Sequence, residues 1–189
     1  MILLTWSFNI PRSAFHVPHS AGPVPDDWSG KLWASKDGQN CSASDHLPKG
    51  ASSYGQIMKQ PLMSYTAGSD VVSVALAGSN PINNAYVGGS YFEVQLNSST
   101  GWSTVAVDAD WETRLIIQKS KVAVVETARV WVVEWRIPAT AAAGEYRVQV
   151  RGSACTHGIV ASSYTPFVST TQTFGVAASG GHTGSPNTV

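Results

Sequence analysis

Five histidines are the residues of this chain best suited to hold a catalytic metal ion. A hydrolytic zinc site needs three protein ligands that converge on one point and leave a fourth position open. The closest pair, His16 and His19, lies in a proline-broken segment where no regular element fixes its geometry. We therefore expect surface histidines, and the sequence predicts no catalytic residue and no metal ligand. The alternative is a small zinc hydrolase that uses His16, His19 and His46.

Patterns for other catalytic chemistries do not occur in the sequence. There is no Gly-x-Ser-x-Gly nucleophile elbow and no glycine-rich phosphate loop leading into a helix. Cys41 and Cys155 show no Cys-x-x-Cys spacing. In a secreted chain they could form one disulfide, whereas in a cytosolic chain they would be buried or idle thiols. The sequence leaves both alternatives open.

Three acidic residues, Asp108, Asp110 and Glu112, fall within five positions. Carboxylate oxygens are the ligands that calcium prefers, so the cluster is a candidate cation site. It lacks the glycine and the regular spacing of an EF-hand loop. Aspartates also shape turns, and Trp111 directly follows Asp110. We favour this structural interpretation and expect Asp108 and Asp110 to form a turn that Trp111 anchors.

Charged side chains also occur within segments that alternate like strands. We expect them to line solvent-facing surfaces as cross-strand pairs, and the alternative is a docking face for a neighbouring domain. These residues are Arg114, Glu134, Arg136, Arg147 and Arg151.

Two Asn-x-Ser sequons make Asn40 and Asn97 candidate glycosylation sites. Asn97 falls in a predicted hairpin loop, where an acceptor side chain would be accessible. Sequons are frequent by chance, so they support secretion only mildly.

Low charge is the main feature of the composition. Charged residues make up 13% of the 189 residues, about half the usual share of about 25%. The formal net charge is zero, so the chain has no electrostatic attraction for phosphate backbones and we expect no nucleic-acid partner. With 43% hydrophobic residues, the composition suits a secreted all-β protein.

From residue 70 onward, apolar and polar residues alternate with a period of two, which is typical of strands. Turn residues such as those at 78–81 and 97–101 separate the alternating segments. Between residues 119 and 136 the many β-branched valines favour two strands over a helix. The pattern predicts seven or eight short strands and an antiparallel β-sandwich.

One connection in this pattern is informative. Pro138 cannot donate to a central ladder and should end a strand, and Gly144 should turn the chain into the next one. The hydroxyl of Tyr146 could then bond back to the crossing loop, as in the tyrosine corner of immunoglobulin-like sandwiches.

The sequence outside the alternating region is irregular. Proline, glycine, serine and aspartate fill residues 11–50, so we expect an arm or linker over residues 1–49, a sandwich domain over 50–177 and a flexible tail over 178–189. The apolar start has no basic region and is ended early by Pro11. It is too short for a membrane span and a poor signal peptide, so we expect the chain to begin inside a longer protein.

Several segments in a fixed order resemble the C-terminal domain of neutral, non-lysosomal ceramidases over roughly residues 50–176. The most specific are the Asp-Trp-Glu-Thr-Arg stretch, the Trp-x-Ile-Pro stretch and the Gly-x-Tyr-Arg stretch. In this chain these and the accompanying segments read Gly55-Gln-Ile57, Val71-Val-Ser-Val74, Ala77-Gly-Ser-Asn-Pro-Ile-Asn83, Phe92-Glu-Val94, Asp108-Ala-Asp-Trp-Glu-Thr-Arg114, Val133-Glu-Trp-Arg-Ile-Pro138, Gly144-Glu-Tyr-Arg147 and Thr165-Pro-Phe167. We interpret the shared positions as a structural motif: Asp108, Asp110, Trp111, Arg114, Trp135, Pro138, Gly144 and Tyr146.

The resemblance implies an immunoglobulin-like domain that packs against a zinc-dependent catalytic domain. The family hydrolyses ceramide to sphingosine and a fatty acid, and its members are secreted or displayed at membranes. Its zinc ligands and catalytic serine belong to the N-terminal domain, and no counterpart of them is found in this sequence. The resemblance therefore implies a partial ceramidase, with zinc only in the full-length enzyme and an extracellular, secretory-pathway or membrane-associated location. The alternative is a stand-alone secreted adhesion or ligand-binding sandwich, since fold alone does not fix function.

Overall fold

The structure is a computed structural model that describes residues 41, 44–83, 90–121, 127–158 and 162–180. Within these residues the chain forms ten strands and one short 3-10 helix. The elements are β1 (Ile57–Lys59), β2 (Ser64–Thr66), β3 (Val71–Gly78), the 3-10 helix Pro81–Asn83, β4 (Phe92–Ser98), β5 (Gly101–Val107), β6 (Thr113–Lys121), β7 (Thr127–Arg136), β8 (Gly144–Thr156), β9 (Ser163–Thr170) and β10 (Phe174–Ala177).

The strands form two sheets. One has the order β1-β3-β7-β6, and the other has the order β2-β10-β8-β4-β5 with β9 also paired to β8. Every strand pair in the described residues is antiparallel except β2 with β10, which is parallel. The predicted all-β sandwich is confirmed, with this one parallel pair as a departure from it. The described part of the chain contains no helix of the length and apolarity that crossing a bilayer requires.

The core lies between the sheets because alternate residues of each central strand point inward. Full burial of one such large apolar side chain stabilises the fold by about 1.5–3 kcal/mol. The inward-facing residues of the four longest central strands are Val72, Val74 and Leu76 of β3, Phe92 and Val94 of β4, Trp131, Val133 and Trp135 of β7, and Tyr146, Val148 and Val150 of β8.

Among the described residues Trp131 is the largest fully buried side chain, and its surroundings explain why position 78 is a glycine. Its indole Nε1 donates to the carbonyl of Ser79 at 2.8 Å, so its polar atom is satisfied. A Cβ at Gly78 would overlap the indole ring directly. Gly78 thus lets β3 approach the Trp131 side chain of its neighbour β7.

The strand prediction was incomplete rather than misplaced. The short strands β1 and β2 and the separate strand β9 were not predicted, and β8 continues beyond the expected alternation to Thr156. Of the two strands predicted between residues 119 and 136, the second corresponds to β7, and the valines at 122, 124 and 125 that indicated the first lie outside the described residues.

The described end of the predicted arm, residues 41 and 44–49, carries no helix or strand. It is nevertheless attached to the sandwich, since Cys41 forms a disulfide with Cys155 of β8 across a Cα–Cα distance of 6.3 Å. Residues 1–40, which include His16, His19 and Asn40, and residues 181–189 lie outside the described residues. The boundaries 1–49, 50–177 and 178–189 stay predictions.

Candidate functional site

The connection between β5 and β6 carries the three acidic residues and is shaped by backbone contacts. A carboxylate oxygen of Asp110 accepts the N–H of Val107 at 2.8 Å, and one of Asp108 accepts the N–H of Tyr91 at 3.2 Å. The hydroxyl of Thr113 donates to the carbonyls of Val107 and Asp110. The local contact of Asp110 supports its predicted role in the turn, whereas the contact of Asp108 ties the connection to the residue before β4.

Trp111, at the tip of this connection, does not anchor the turn. Its side chain is 99% exposed, so the expectation that it would hold the turn by packing is wrong. The hydrogen bonds of Asp110 and Thr113 shape the turn without it. A fully exposed indole leaves a large apolar surface in water, and such side chains are enriched where proteins meet partners.

A cleft of about 380 Å³ opens beside this connection. We call it the motif cleft because residues of the Asp-Trp-Glu, Ile-Pro and Gly-x-Tyr segments line it together. Its lining is Leu96, Val105, Ala106, Asp110, Glu112, Trp135, Pro138, Thr140, Ala141, Ala142 and Tyr146.

Two aromatic residues, Trp135 and Tyr146, line the motif cleft. Trp135 packs on Tyr146 with ring centroids 5.3 Å apart, and Tyr146 stacks on Phe174 at 6.1 Å. The Tyr146 hydroxyl donates to the carbonyl of Ala142 at 2.6 Å, which confirms the predicted bond back to the crossing loop. Burial raises the pKa of Tyr146, so the hydroxyl keeps its proton and this bond at neutral pH.

The strand boundaries at this connection also follow the prediction. Strand β7 ends at Arg136, two residues before Pro138, and β8 begins at Gly144. A Cβ at Gly144 would lie 2.9 Å from a methyl carbon of Leu96. The glycine therefore allows the close approach of β8 to β4 beside the motif cleft.

A second, smaller cleft of about 140 Å³ adjoins the first, and Glu112 lines both. Its lining is Val71, Trp111, Glu112, Arg114, Glu134 and Arg136. We call these six residues the Trp111 surface. Arg114 and Glu134 form the expected cross-strand ion pair there, with an N–O distance of 3.6 Å. The surface thus combines one exposed aromatic ring with charges of both signs.

Two of the charged residues expected on solvent-facing surfaces are less exposed than that expectation requires. Arg151 is buried and pairs with Glu93 at 2.5 Å, so its predicted exposure is wrong. Arg147 is half-buried, with its guanidinium 4.2 Å from the centroid of the Trp102 ring and its Nε donating to Gln95. Both belong to a polar network on the outer face of the six-stranded sheet.

The buried Glu93 carboxylate stays ionised because of this network. Burial acts to raise its pKa, but hydrogen bonds from Arg151, Thr104 and Gln95 and the charge of Arg151 outweigh burial and lower the pKa. Because hydrogen bonds from three neighbours occupy the oxygens of the Glu93 carboxylate, we assign it a role in stability rather than in catalysis or ligand binding.

The described residues do not assemble a metal site. No group of three or more His, Cys, Asp and Glu side chains within them is placed to hold a metal ion. His157 Nδ1 lies 3.5 Å from Ser162 Oγ, at the outer limit of a hydrogen bond, and that oxygen also accepts the N–H of Cys41. The side chains in the described part of the chain therefore do not fit a resident zinc ion.

Asn97, the one candidate glycosylation site in the described residues, is exposed at the end of β4. Its amide nitrogen donates to Glu145 at 3.2 Å. The side chain is therefore accessible at the hairpin that leads into β5, and its modification stays a prediction.

Comparisons with known proteins identify the fold as a recurring part of larger enzymes. The model of the family described as "Neutral/alkaline non-lysosomal ceramidase, C-terminal" matches residues 12–176, so the match begins well before residue 50. A curated protein from Mycobacterium tuberculosis (strain ATCC 25618 / H37Rv), "Neutral ceramidase", is 29% identical over 107 residues, which are 57% of this chain and 16% of that protein.

Two solved structures are similar over 72% of this chain. One, "Ceramidase complexed with C2", has a TM-score of 0.63 and 25% identity, and the match covers 20% of that chain. The other, the neutral ceramidase from Pseudomonas aeruginosa, has a TM-score of 0.62 and 26% identity, with 21% of that chain covered. This chain thus spans about a fifth of the length of these relatives. With most of its length matched by the family model, the chain belongs to the family of neutral/alkaline non-lysosomal ceramidase C-terminal domains.

Proposed function

We propose that this chain serves as the non-catalytic C-terminal domain of a neutral ceramidase, an enzyme that hydrolyses ceramide to sphingosine and a fatty acid. The observation that carries the proposal is the family match over residues 12–176 to a C-terminal domain. In this proposal the zinc ion and the catalytic residues belong to a separate catalytic domain. The family match does not favour the alternative of a stand-alone adhesion or ligand-binding sandwich.

The Trp111 surface is the face that we propose docks on the catalytic domain. Trp111 is exposed and lines the smaller cleft, and tryptophan is among the residue types most enriched in the positions that dominate binding energy at interfaces. Its neighbours Glu112, Arg114 and Arg136 supply charges that can fix the orientation of a partner. Docking would remove the apolar Trp111 ring from water, and this burial would favour binding.

An extracellular or secretory location is also part of the proposal, and membrane association through the full-length enzyme belongs with it. The Cys41–Cys155 disulfide supports this location, because disulfides persist in oxidising compartments. The immunoglobulin-like character of the sandwich is supported by the hydrogen bond from Tyr146 to the connection that precedes β8.

The first experiment measures ceramide hydrolysis by the purified chain with added zinc. We expect no turnover above background, and turnover would overturn the non-catalytic assignment. The second experiment uses a chimera in which this chain replaces the matching segment of the Pseudomonas aeruginosa neutral ceramidase. We expect the chimera to hydrolyse ceramide faster than the same enzyme without that segment, and equal rates would overturn the supporting role.

Trp111→Ala in the chimera tests the docking face. We expect ceramide hydrolysis to fall by about tenfold or more, as for the loss of a central interface aromatic. The matched control is Met63→Ala, because Met63 is also large, apolar and exposed but lies outside both clefts. Equal activity of the two variants would place the docking face elsewhere on the domain.

A further inference from the structure

The segment before β1 is fastened to the far end of β8, although it forms no strand. We call Cys41 and residues 44–48 the strap. The N–H of Asp45 donates to the carbonyl of Cys155 at 2.8 Å, and the N–H of His157 donates to the hydroxyl of Ser44 at 2.9 Å. The strap therefore runs beside the last residues of β8.

The side chain of Asp45 ties the strap to two parts of the sandwich. Its Oδ2 accepts the N–H of Cys155 at 2.7 Å. Its Oδ1 accepts the backbone N–H of Asn80 at 2.7 Å and lies 3.4 Å from the side-chain amide nitrogen of Asn83. We call these contacts the Asp45 clasp. The clasp joins the strap, the end of β8 and the connection that follows β3.

The disulfide and the Asp45 clasp both attach the strap to Cys155. Cys155 is paired with Cys41, 114 positions earlier in the chain. Hydrogen bonds at a partly exposed site add little net stability, because water competes for the same groups. A covalent bond that closes so long a loop restricts the chain much more. The disulfide is therefore the stronger of the two fasteners.

Two strap residues, Cys41 and Pro48, are buried, but the strap lies outside the main apolar cluster of the sandwich. The main cluster of buried apolar side chains runs from Tyr65 of β2 to Val176 of β10, and no strap residue belongs to it. The partly buried residues packed on this cluster also begin only at Tyr54. Release of the strap would therefore leave the contacts between the two sheets in place.

We propose that the strap is an oxidation-dependent part of the domain, held closed by the disulfide and released by reduction while the sandwich stays folded. The reductant is a dithiol. It loses two electrons and two protons to become a disulfide, and the sulfur–sulfur bond between Cys41 and Cys155 breaks to give two thiols. The proposal does not depend on the ceramidase assignment, since it concerns contacts within this chain alone.

Amide hydrogen exchange of the whole chain tests the proposal, because it reports local opening residue by residue. On reduction with dithiothreitol we expect exchange at the strap amides 44–47 and at the Asn80 and Cys155 amides to rise by about tenfold or more. Exchange in β3 and β7 should not change. If the strap stays protected after reduction, the Asp45 clasp holds it closed without the disulfide. If exchange becomes faster throughout β3 and β7, the disulfide stabilises the whole sandwich. Either result overturns the proposal.

Two variants separate the fasteners. The double variant Cys41→Ser and Cys155→Ser should fold, and its strap amides should exchange as fast as those of the reduced protein, with or without dithiothreitol. Asp45→Ala keeps the disulfide, so its strap should stay near β8 when oxidised and open further on reduction. Failure of the double-serine variant to fold would overturn the proposal, because the released strap is expected to leave the sandwich intact.

Discussion

Two ion pairs on the outer faces of the two sheets show how differently the same kind of contact is used in one domain. Glu93 and Arg151 of the six-stranded sheet have side chains only 8% and 3% exposed, and they lie 2.5 Å apart. Arg114 and Glu134 of the four-stranded sheet have side chains 71% and 29% exposed, and they lie 3.6 Å apart. The first pair is buried although it lies on an outer face of a sheet, whereas the second faces solvent beside Trp111.

The difference lies in the partners around each pair. Glu93 also accepts hydrogen bonds from Thr104 and Gln95, and Arg151 also donates to Gln149. Such additional hydrogen bonds offset part of the cost of removing the two charges from water. The exposed pair keeps its hydration and remains available to a partner. The comparison separates a face that stabilises the domain from one that is free to dock.

Arg151→Met gives the largest expected effect. It leaves the Glu93 carboxylate buried without its cation, so we expect the free energy of unfolding to fall by about 3–5 kcal/mol. Urea denaturation followed by tryptophan fluorescence measures this loss. Arg114→Met is the matched control, and it should change the free energy of unfolding by less than about 1 kcal/mol. Similar losses in the two variants would remove the distinction between the pairs.

Acid should weaken the buried pair before it unfolds the rest of the domain. The pKa of Glu93 is lowered in the folded protein, against about 4.3 in the unfolded chain. Its contribution is therefore fully present above about pH 4.3 and is lost as the pH falls through the folded pKa. We expect the stability difference between the wild type and Glu93→Gln to shrink over that acidic range. A difference that stays constant down to about pH 2 would contradict the assignment.

The hydroxyl of Tyr146 is intermediate between the two ion pairs, because it is partly buried and forms one hydrogen bond. Tyr146→Phe removes the hydrogen bond to Ala142 and keeps the ring stack. We expect a loss of about 1 kcal/mol, the usual net value of one such bond. Thermal and urea denaturation of the variant measure it. A loss as large as that of Arg151→Met would mean that the connection before β8 depends on this bond alone.

The sequence predicted the contacts that depend on local order along the chain. Period-two alternation located most of β3, β4, β7 and β8, because each buries one face. The Tyr146 bond was predicted because Pro138 and Gly144 fix the turn that precedes it. These features involve neighbours within a few residues, where spacing in sequence sets spacing in space.

The features that the sequence left open depend on distant segments. The disulfide joins residues 114 positions apart, and only the folded chain brings the strap beside β8. Alternation placed Arg151 on an outer face but could not show that the face is covered there. Trp111 looked like an anchor because two aspartates precede it in a predicted turn, and nothing local indicates that the ring projects into solvent. Candidate sites on the surface were therefore less predictable than the core.

The smallest expected effect belongs to the exposed pair. Glu134→Gln removes the charge opposite Arg114 at nearly constant shape, and we expect a change in the free energy of unfolding of at most about 0.5–1 kcal/mol. A double-mutant cycle with Arg114→Met isolates the pair's own contribution. Added salt should reduce even this small coupling, because exposed charges are screened. A coupling energy above about 2 kcal/mol that does not depend on salt would show that this pair also stabilises the fold. The two ion pairs would then not differ in their contribution to stability.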